Sequence, residues 1–247
     1  MQLKFISDED LEKHIIKTLE YYRSTIEKMD LDKFNNNLVD PIKLTFDSIV
    51  YNREIKSIII DEIARQRDKS NTNAIGYFHQ ELFSFIKYCN IPSKGFDVVF
   101  DDGEQRIYVE LKNKHNTMNS SASQKTYMRM QSKLLDDSKC QCFLVEVIAK
   151  KSQNIAWQIS LDGISTSNER IRRVSIDKFY EIITGDKNAF MKLCSVLPKI
   201  ISKMVNQTIA KERENDSVIQ ELEKNNKDLL KALYLLAFRT YEGFDNF

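Results

Sequence analysis

The stretch that decides the fold is GFDVVF (95–100), DDGEQR (101–106) and IYVELK (107–112). Two apolar runs, rich in β-branched and aromatic residues, flank a polar segment, which predicts a β-hairpin that turns at Gly103 and Glu104. The turn sets the register, and apolar residues at alternate positions then form one core face. The predicted pairs on that face are Phe96 with Leu111, Val98 with Val109, and Phe100 with Ile107.

The opposite face of this hairpin carries charge. The same register pairs Asp97 with Glu110, and Lys112 projects the same way because strand side chains alternate. Two neighbouring carboxylates repel each other unless a cation lies between them, and hard oxygen ligands suit Mg²⁺. The three side chains therefore predict a site for phosphodiester hydrolysis, where Lys112 either stabilises the transition state or orients the attacking water. Taken alone, an alternating Glu and Lys is also typical of a salt-bridged surface strand.

The segment that follows is basic, although the whole chain has a net charge of only +1. Residues 113–123 are rich in short polar side chains of the kind that contact phosphates and base edges. A helix capped by Ser121 or Ser123 should follow, with one basic face along a phosphate backbone or simply solvated. The DNA-binding candidates are Asn113, Lys114, His115, Asn116, Asn119, Ser120, Ser121, Ser123, Lys125, Arg129 and Lys133.

Together, GFD (95–97) and YVELKNKHNTMNSS (108–121) resemble the PD-(D/E)xK nuclease superfamily, with Gly-Phe-Asp in place of Pro-Asp. Within it, IGYFHQ (75–80) and SIDKFY (175–180) resemble type II restriction endonucleases that cut GGNCC or GGWCC sites. The resemblance implies that Asp97 and Glu110 bind the metal and that Lys112 is the catalytic lysine. It also implies a metal contact from the Leu111 carbonyl and from an upstream residue. That residue would be Gln80 or Glu81, with Gln80 favoured.

The length and composition fit one α/β nuclease domain, 1–205, with N-terminal helices and a C-terminal helical extension, 206–247. The resemblance implies a mixed central sheet flanked by helices, as restriction endonucleases have. No apolar run approaches the length of a membrane span, and no secretory signal is evident, which predicts a cytoplasmic protein. The four cysteines lack CxxC spacing, so we expect free thiols.

Several local patterns complete the interpretation. Helices are expected from Asp8, which would cap the first, from Pro41 after Asp40, and over 55–67, 73–88 and 189–204. Strands are expected over 142–148 and 155–159. His79 is interpreted as a packed structural histidine, and the arginines at 170, 172 and 173 as DNA contacts or a solvated sheet edge.

The last segment has a heptad pattern. The pattern is formed by Ile219, Leu222, Asn226, Leu229, Leu233 and Leu236. One interpretation is a dimerising helix with asparagine in the seam, and the other, which we favour, is an amphipathic helix packed on its own domain.

The function predicted is a Mg²⁺-dependent, site-specific endonuclease of double-stranded DNA. It would act as a homodimer on a short, nearly palindromic, GGNCC-like site, beside a cognate DNA methyltransferase. A structure-specific nuclease, such as a junction resolvase or repair nickase, is one alternative, since it would use the same framework. A noncatalytic DNA-binding or assembly protein built on the heptad segment is the other.

Overall fold

The structure is a computed structural model that describes residues 3–115, 117–161, 163–207 and 215–241. Contacts divide the chain into two units, Met1–Thr18 with Ile75–Ile209, and Leu19–Ala74 with Ala210–Phe247. The first unit contains the sheet and the predicted catalytic residues, whereas the second is helical. The assignment of 1–205 to the nuclease and 206–247 to an extension stays a prediction.

The first unit is built on a mixed sheet. Its strands are β1 (Cys89–Asn90), β2 (Val98–Asp101), β3 (Arg106–Lys114), β4 (Cys140–Ile148), β5 (Asn154–Ala156) and β8 (Ile171–Ser175), while β6 (Ile159–Leu161) and β7 (Ile164–Thr166) form a separate pair. The order in the six-stranded sheet is β1-β2-β3-β4-β8-β5. Because β4 runs parallel to β3 and β8 while the other pairs are antiparallel, the predicted mixed α/β sheet is confirmed.

The hairpin of β2 and β3 has the predicted register. Val98 lies opposite Val109, and Phe100 lies opposite Ile107. Gly103 has a φ of +91°, and the Asp102 amide donates to the Gln105 carbonyl at 3.4 Å, as a tight turn here requires.

The predicted place of Phe96 is wrong. Its ring lies 5.2 Å from that of Tyr108 and packs in the cluster that includes Tyr127, on the face opposite Val98. Strict alternation of sides holds only within a strand, and β2 begins at Val98, after an irregular segment in which Gly95 has a φ of +98°.

Helices cover both faces of this sheet. They are α5 (Ser120–Asp136), α6 (Ile176–Thr184) and α7 (Ala189–Gln207), and a short 3-10 helix (Phe83–Phe85) precedes β1. α5 packs Tyr127 and Met130 against Cys142 on one face, whereas Phe179 of α6 meets Phe143 on the other. The predicted serine cap is wrong, because Asn119 accepts the Ala122 amide at 2.8 Å and starts α5 one turn earlier than Ser123 would.

Two further helices, α1 (Asp8–Ser24) and α4 (Ile55–Leu82), each contain a boundary between the units. The cap of α1 is Ser7, whose hydroxyl accepts the Asp10 amide at 3.0 Å, so the expectation of Asp8 as cap is wrong. The two helices expected over 55–67 and 73–88 are one helix, α4, which ends at Leu82 and not at residue 88. The polar segment between them, 68–72, contains no glycine or proline, so nothing interrupts the backbone hydrogen bonds.

The strand expected over 155–159 is also wrong, because the chain pairs first as β5 and then, in the other sheet, as β6. The expectation of a solvated sheet edge at the three arginines is wrong as well, because β5 pairs with β8. β8 lies between β4 and β5 and is therefore an inner strand, which β5 covers. The helix expected over 189–204 is present as α7 and extends to Gln207.

The second unit contains α2 (Leu31–Asn35), α3 (Pro41–Val50), α8 (Val218–Asn225) and α9 (Leu229–Phe238). Asp40 caps α3 as predicted, accepting two backbone amides. The prediction of one continuous helix through the heptad pattern is wrong, because the backbone is extended at Asn226 and Asp228 caps a new helix. The apolar residues of the pattern pack within this unit. Its core includes Phe34, Leu44, Ile59, Ile63, Leu222, Leu229 and Leu233.

The remaining expectations concern single residues. All four cysteines are free, as predicted. His79 is 9% exposed and packs edge-on against Phe78, and burial lowers its pKa to about 4, which fits the structural role expected of it. Across the described ranges, none of the helices combines the length and apolar character needed to cross a membrane.

Candidate active site

The structure brings the three predicted catalytic side chains together along β3. Oδ2 of Asp97 accepts the Leu111 amide at 2.7 Å, and Nζ of Lys112 donates to Oε1 of Glu110 at 2.8 Å. The Asp97 amide in turn donates to the Val109 carbonyl at 2.9 Å, which extends the hairpin pairing by one residue before β2 begins. The backbone of the hairpin thus holds Asp97 beside the Glu110–Lys112 pair.

The Asp97 carboxyl lies in a charged and partly dehydrated setting. Burial raises its pKa above the usual value, and the charge of Glu110 adds to the rise. The Leu111 hydrogen bond and the cations of Lys112 and Arg129 act in the other direction. Two carboxylates held this close, with little water around them, form a natural place for a cation.

Arg129 of α5 belongs to the same cluster. Its Nη2 donates to Oε2 of Glu110, and its Nη1 donates to the Gly95 carbonyl at 3.0 Å. The guanidinium also lies 4.9 Å from the centre of the Phe96 ring. The sequence placed Arg129 on a DNA-binding face, but its contact with Glu110 depends on how α5 crosses the sheet, and no local pattern indicates that crossing.

The two upstream candidates lie in different surroundings. Nε2 of Gln80, near the end of α4, donates to the Asp97 carbonyl at 3.3 Å. Oε2 of Glu81 instead accepts a hydrogen bond from Nζ of Lys17 at 2.7 Å, and it lies 3.9 Å from Nδ1 of His14. The structure therefore brings Gln80 to the cluster and directs Glu81 to a separate ion pair.

The atoms of this cluster that could bind a metal are carboxylate and carbonyl oxygens, which fit a hard divalent cation. Within the described ranges, no group of three or more His, Cys, Asp or Glu residues could hold a metal ion. Mg²⁺ needs fewer protein ligands than that, because it keeps several waters and takes one or two carboxylates. Asp97 and Glu110 are the two carboxylates of this cluster that could serve as such ligands.

The polar segment after β3 is only partly free to reach DNA. The side chains of Lys114, Ser120, Ser121 and Lys125 are exposed, while Asn113 lies beside Gly76 and Asn119 caps α5. Ser123 is half-buried in the first turn of α5, and Lys133 lies with its Nζ 4.6 Å from the centre of the Tyr108 ring. Asn116 lies outside the described residues.

His115 faces inward, toward a cluster that the sequence did not reveal. Its Nδ1 lies 3.1 Å from Oε2 of Glu146 and 2.8 Å from Nη2 of Arg173. Nε of Arg173 donates to Oε1 of Glu146 at 2.9 Å, and the Glu146 side chain is only 2% exposed. Since β3, β4 and β8 are parallel neighbours, this cluster ties the start of the polar segment to the sheet. The sequence signal was limited to charged residues inside two apolar strands, Glu146 in β4 and two arginines in β8.

Loss of the Glu146 carboxylate should destabilise the protein. Glu146→Ala leaves the guanidinium of Arg173 largely buried without its anion, so we expect the free energy of unfolding to fall by about 3 kcal/mol. Glu169→Ala is the matched control, because Glu169 pairs with Arg172 but is 85% exposed and should cost less than about 1 kcal/mol. Urea unfolding of both variants measures the difference, and equal losses would contradict this role of Glu146.

An open groove borders the cluster on the α5 side. Its volume is about 430 Å³. Three cations and two aromatic rings are among the side chains that line it, namely Lys94, Arg129, Lys133, Phe96 and Tyr108. Lys94, Phe96 and Tyr108 were not predicted as site residues, although Lys94 and Phe96 stand within three positions of Asp97. Asp136 also lines the groove, so its charged side chains leave a net positive charge, which fits an anionic ligand.

Comparisons with known proteins bear on the same part of the chain. The model of the family described as Eco47II restriction endonuclease matches residues 3–206. The type II restriction enzyme Sau96I of Staphylococcus aureus is 31% identical over 245 residues, which cover 94% of this chain and 93% of that protein. The type II restriction enzyme Eco47II of Escherichia coli is 26% identical over 219 residues, which cover 85% and 91%.

Proposed function

Because the chain belongs to the Eco47II restriction endonuclease family, we propose that it cuts a short, GGNCC-like DNA site with Mg²⁺ at the cluster of Asp97, Glu110 and Lys112. The family and its relatives establish a type II, site-specific endonuclease that acts on double-stranded DNA. The observation that carries the proposed chemistry is the meeting of those three side chains along one hairpin. The GGNCC-like site rests on the resemblance of the sequence motifs.

The residues of the cluster have distinct roles in this proposal. Asp97, Glu110 and the Leu111 carbonyl would hold Mg²⁺, and Gln80 would orient Asp97 through its backbone. The cation, when bound, strengthens water as a nucleophile and offsets charge on the phosphoryl oxygens. Lys112 lies at the same point and donates to the developing negative charge of the phosphate or positions the water. Arg129, which donates to Glu110 in the structure, would contact a phosphate of the bound DNA.

The DNA would pass along the α5 side of the sheet. The cations of the groove would contact phosphates. The exposed side chains at the end of β3 and the start of α5, namely Lys114, Ser120, Ser121 and Lys125, would reach the bases. His115, which is anchored by Glu146 and Arg173, would position that segment without contacting DNA.

A palindromic site calls for two active sites, so we propose a homodimer whose twofold axis matches that of the DNA. A cognate DNA methyltransferase would protect host DNA, with no stable complex between the two proteins. The protein would act in the cytoplasm, where its substrate DNA is found.

Digestion of unmethylated phage DNA with Mg²⁺ tests the proposal. Discrete fragments whose sequenced ends share one GGNCC-like site are the expected result. A protein that leaves linear duplex intact but cuts branched DNA would be the structure-specific nuclease instead. No Mg²⁺-dependent nicking of any DNA would leave only a noncatalytic binding role, although the heptad segment that suggested it is buried in its own unit.

A further inference from the structure

Strands β6 and β7 form a two-stranded ribbon that is not part of the six-stranded sheet. The two strands are antiparallel, with Ser160 opposite Ser165 and Leu161 opposite Ile164. Opposite residues project to the same face of such a ribbon, and successive residues alternate between its faces. The β6–β7 ribbon therefore has two faces, which carry different kinds of side chain.

The inner face of the ribbon is fixed to α5. Ile159 and Leu161 are partly buried against the apolar cluster that includes Tyr127 of α5. Trp157, which leads into the ribbon, lies edge-on to Tyr127, with 5.3 Å between the ring centres. Ile164, next to the turn, is 70% exposed. The base of the ribbon is thus held by α5, while its tip projects beyond this support.

The outer face of the ribbon carries amide and hydroxyl groups. Gln158, Ser160 and Ser165 are exposed, and Nε2 of Gln158 donates to Oγ of Ser165 at 2.8 Å across the two strands. Apart from Asp162, which lies outside the described residues, the segment 158–168 has no charged side chain. Amides and hydroxyls both donate and accept hydrogen bonds, as base edges do in the major groove. The three outer residues include none of the aromatic or large apolar side chains that anchor protein interfaces.

The ribbon and the cationic groove lie on opposite flanks of α5. Nε2 of Gln124 donates to the Ser160 carbonyl at 2.9 Å, whereas Arg129 lines the groove. These two residues of α5 are roughly 140° apart around the helix axis, at about 100° per residue. A helix is about 10–12 Å across with its side chains, and five base pairs span about 17 Å. A duplex held at the groove is thus large enough to reach the ribbon across the exposed Lys125.

The ribbon also has the dimensions of a groove reader. Paired strands lie about 4.8 Å apart, and the major groove of DNA, about 12 Å wide, admits a two-stranded ribbon. Because the serines of the outer face are short, the backbone of the ribbon can approach the base edges closely.

We propose that the β6–β7 ribbon enters the major groove of the substrate, where Gln158 and Ser165 contact base edges. The inference rests on the proposed function, because it names an element that distinguishes the cut site from other DNA. In this arrangement, the cations of the groove position the duplex through its phosphates, and the ribbon contributes to reading its sequence.

Selection from a pool of random duplexes tests the ribbon in the full chain. The parent protein carries Lys112→Ala, so that Mg²⁺ can be present without cleavage, and it should enrich one sequence motif. Adding Gln158→Ala/Ser165→Ala should lower the preference at one or more positions of that motif by at least about tenfold, because base contacts are lost. Affinity for a duplex without the motif should stay within about twofold, since the phosphate contacts remain.

The matched control is Ser195→Ala in the same parent. Ser195 is also exposed, but it lies on α7, which packs against α6 on the other face of the sheet. This variant should select the parent motif unchanged. Circular dichroism should be the same for all three proteins, because the substituted side chains are exposed.

Equal selection by the parent and by the ribbon variant would overturn the ribbon as a reader of bases. A parent that enriches no motif, or a ribbon variant that loses affinity for all duplexes alike, would overturn it too. Failure of the proposed function looks different. A motif unrelated to GGNCC would refute the proposed site, and a wild type that cuts no DNA would refute the nuclease, while relaxed selection by the ribbon variant would still support the ribbon.

Discussion

Glu110→Ala and Lys112→Ala should each lower the rate of DNA cleavage by at least about 10²–10³-fold. In the proposed mechanism, Glu110 would supply a carboxylate to the cation site, and Lys112, which donates to Glu110, would supply the positive charge that meets the phosphate. Single-turnover cleavage of a duplex with one site measures the loss.

Binding separates this expectation from loss of structure. Without a divalent cation, fluorescence anisotropy should show that Lys112→Ala binds the duplex within about tenfold of the wild type, since one phosphate contact of many is lost. The matched controls are Glu9→Ala and Lys13→Ala, each of which breaks an exposed ion pair of 2.8 Å on α1. Neither variant should change the cleavage rate or the affinity for the duplex. Retained cleavage in Glu110→Ala or Lys112→Ala would remove the proposed mechanism.

The second large effect concerns the cation. Chelation of divalent ions should abolish cleavage, and Asp97→Asn should weaken binding of Mn²⁺, a probe for Mg²⁺, by at least about tenfold. Asparagine keeps the shape and the acceptor oxygen for the Leu111 amide, so the hairpin should be preserved. Calorimetric titration of the protein alone measures this affinity independently of catalysis.

Arg129→Gln provides a control of opposite sign at the same cluster. Its guanidinium now neutralises Glu110, so its removal should tighten Mn²⁺ binding while lowering DNA affinity. A decrease of Mn²⁺ affinity in Arg129→Gln, or none in Asp97→Asn, would place the cation elsewhere.

Much of the site follows from local sequence, because a two-residue turn fixes which strand residues are opposite each other. Gly103 allowed the register of Val98 with Val109 to be predicted, and that register carries Asp97 to Glu110. The resemblance of the motifs to the restriction endonucleases, which the family match confirms, then supplied the chemistry. Phe96 shows the limit of the pattern, since alternation ends where the strand ends.

The parts that sequence did not predict depend on long-range packing. The contact of Arg129 with Glu110 requires the crossing of α5 over β3, and the cluster of His115, Glu146 and Arg173 requires three parallel strands in one order. One continuous helix was predicted through Asn226, but the structure has two short helices there, with Asp228 capping the second. Their apolar residues keep the heptad spacing across the break, so the spacing alone did not reveal it. Polar residues alone did not break α4, since side chains interrupt a helix less effectively than proline or glycine does.

The most direct test is a crystal structure of the Lys112→Ala variant with a GGNCC-containing duplex and Mn²⁺, using the anomalous signal of the metal. We expect a peak within about 2.0–2.3 Å of carboxylate oxygens of Asp97 and Glu110, next to a backbone phosphate of the duplex. A metal peak on other residues, or a duplex whose phosphates lie far from these carboxylates, would contradict the assignment of this cluster as the active site.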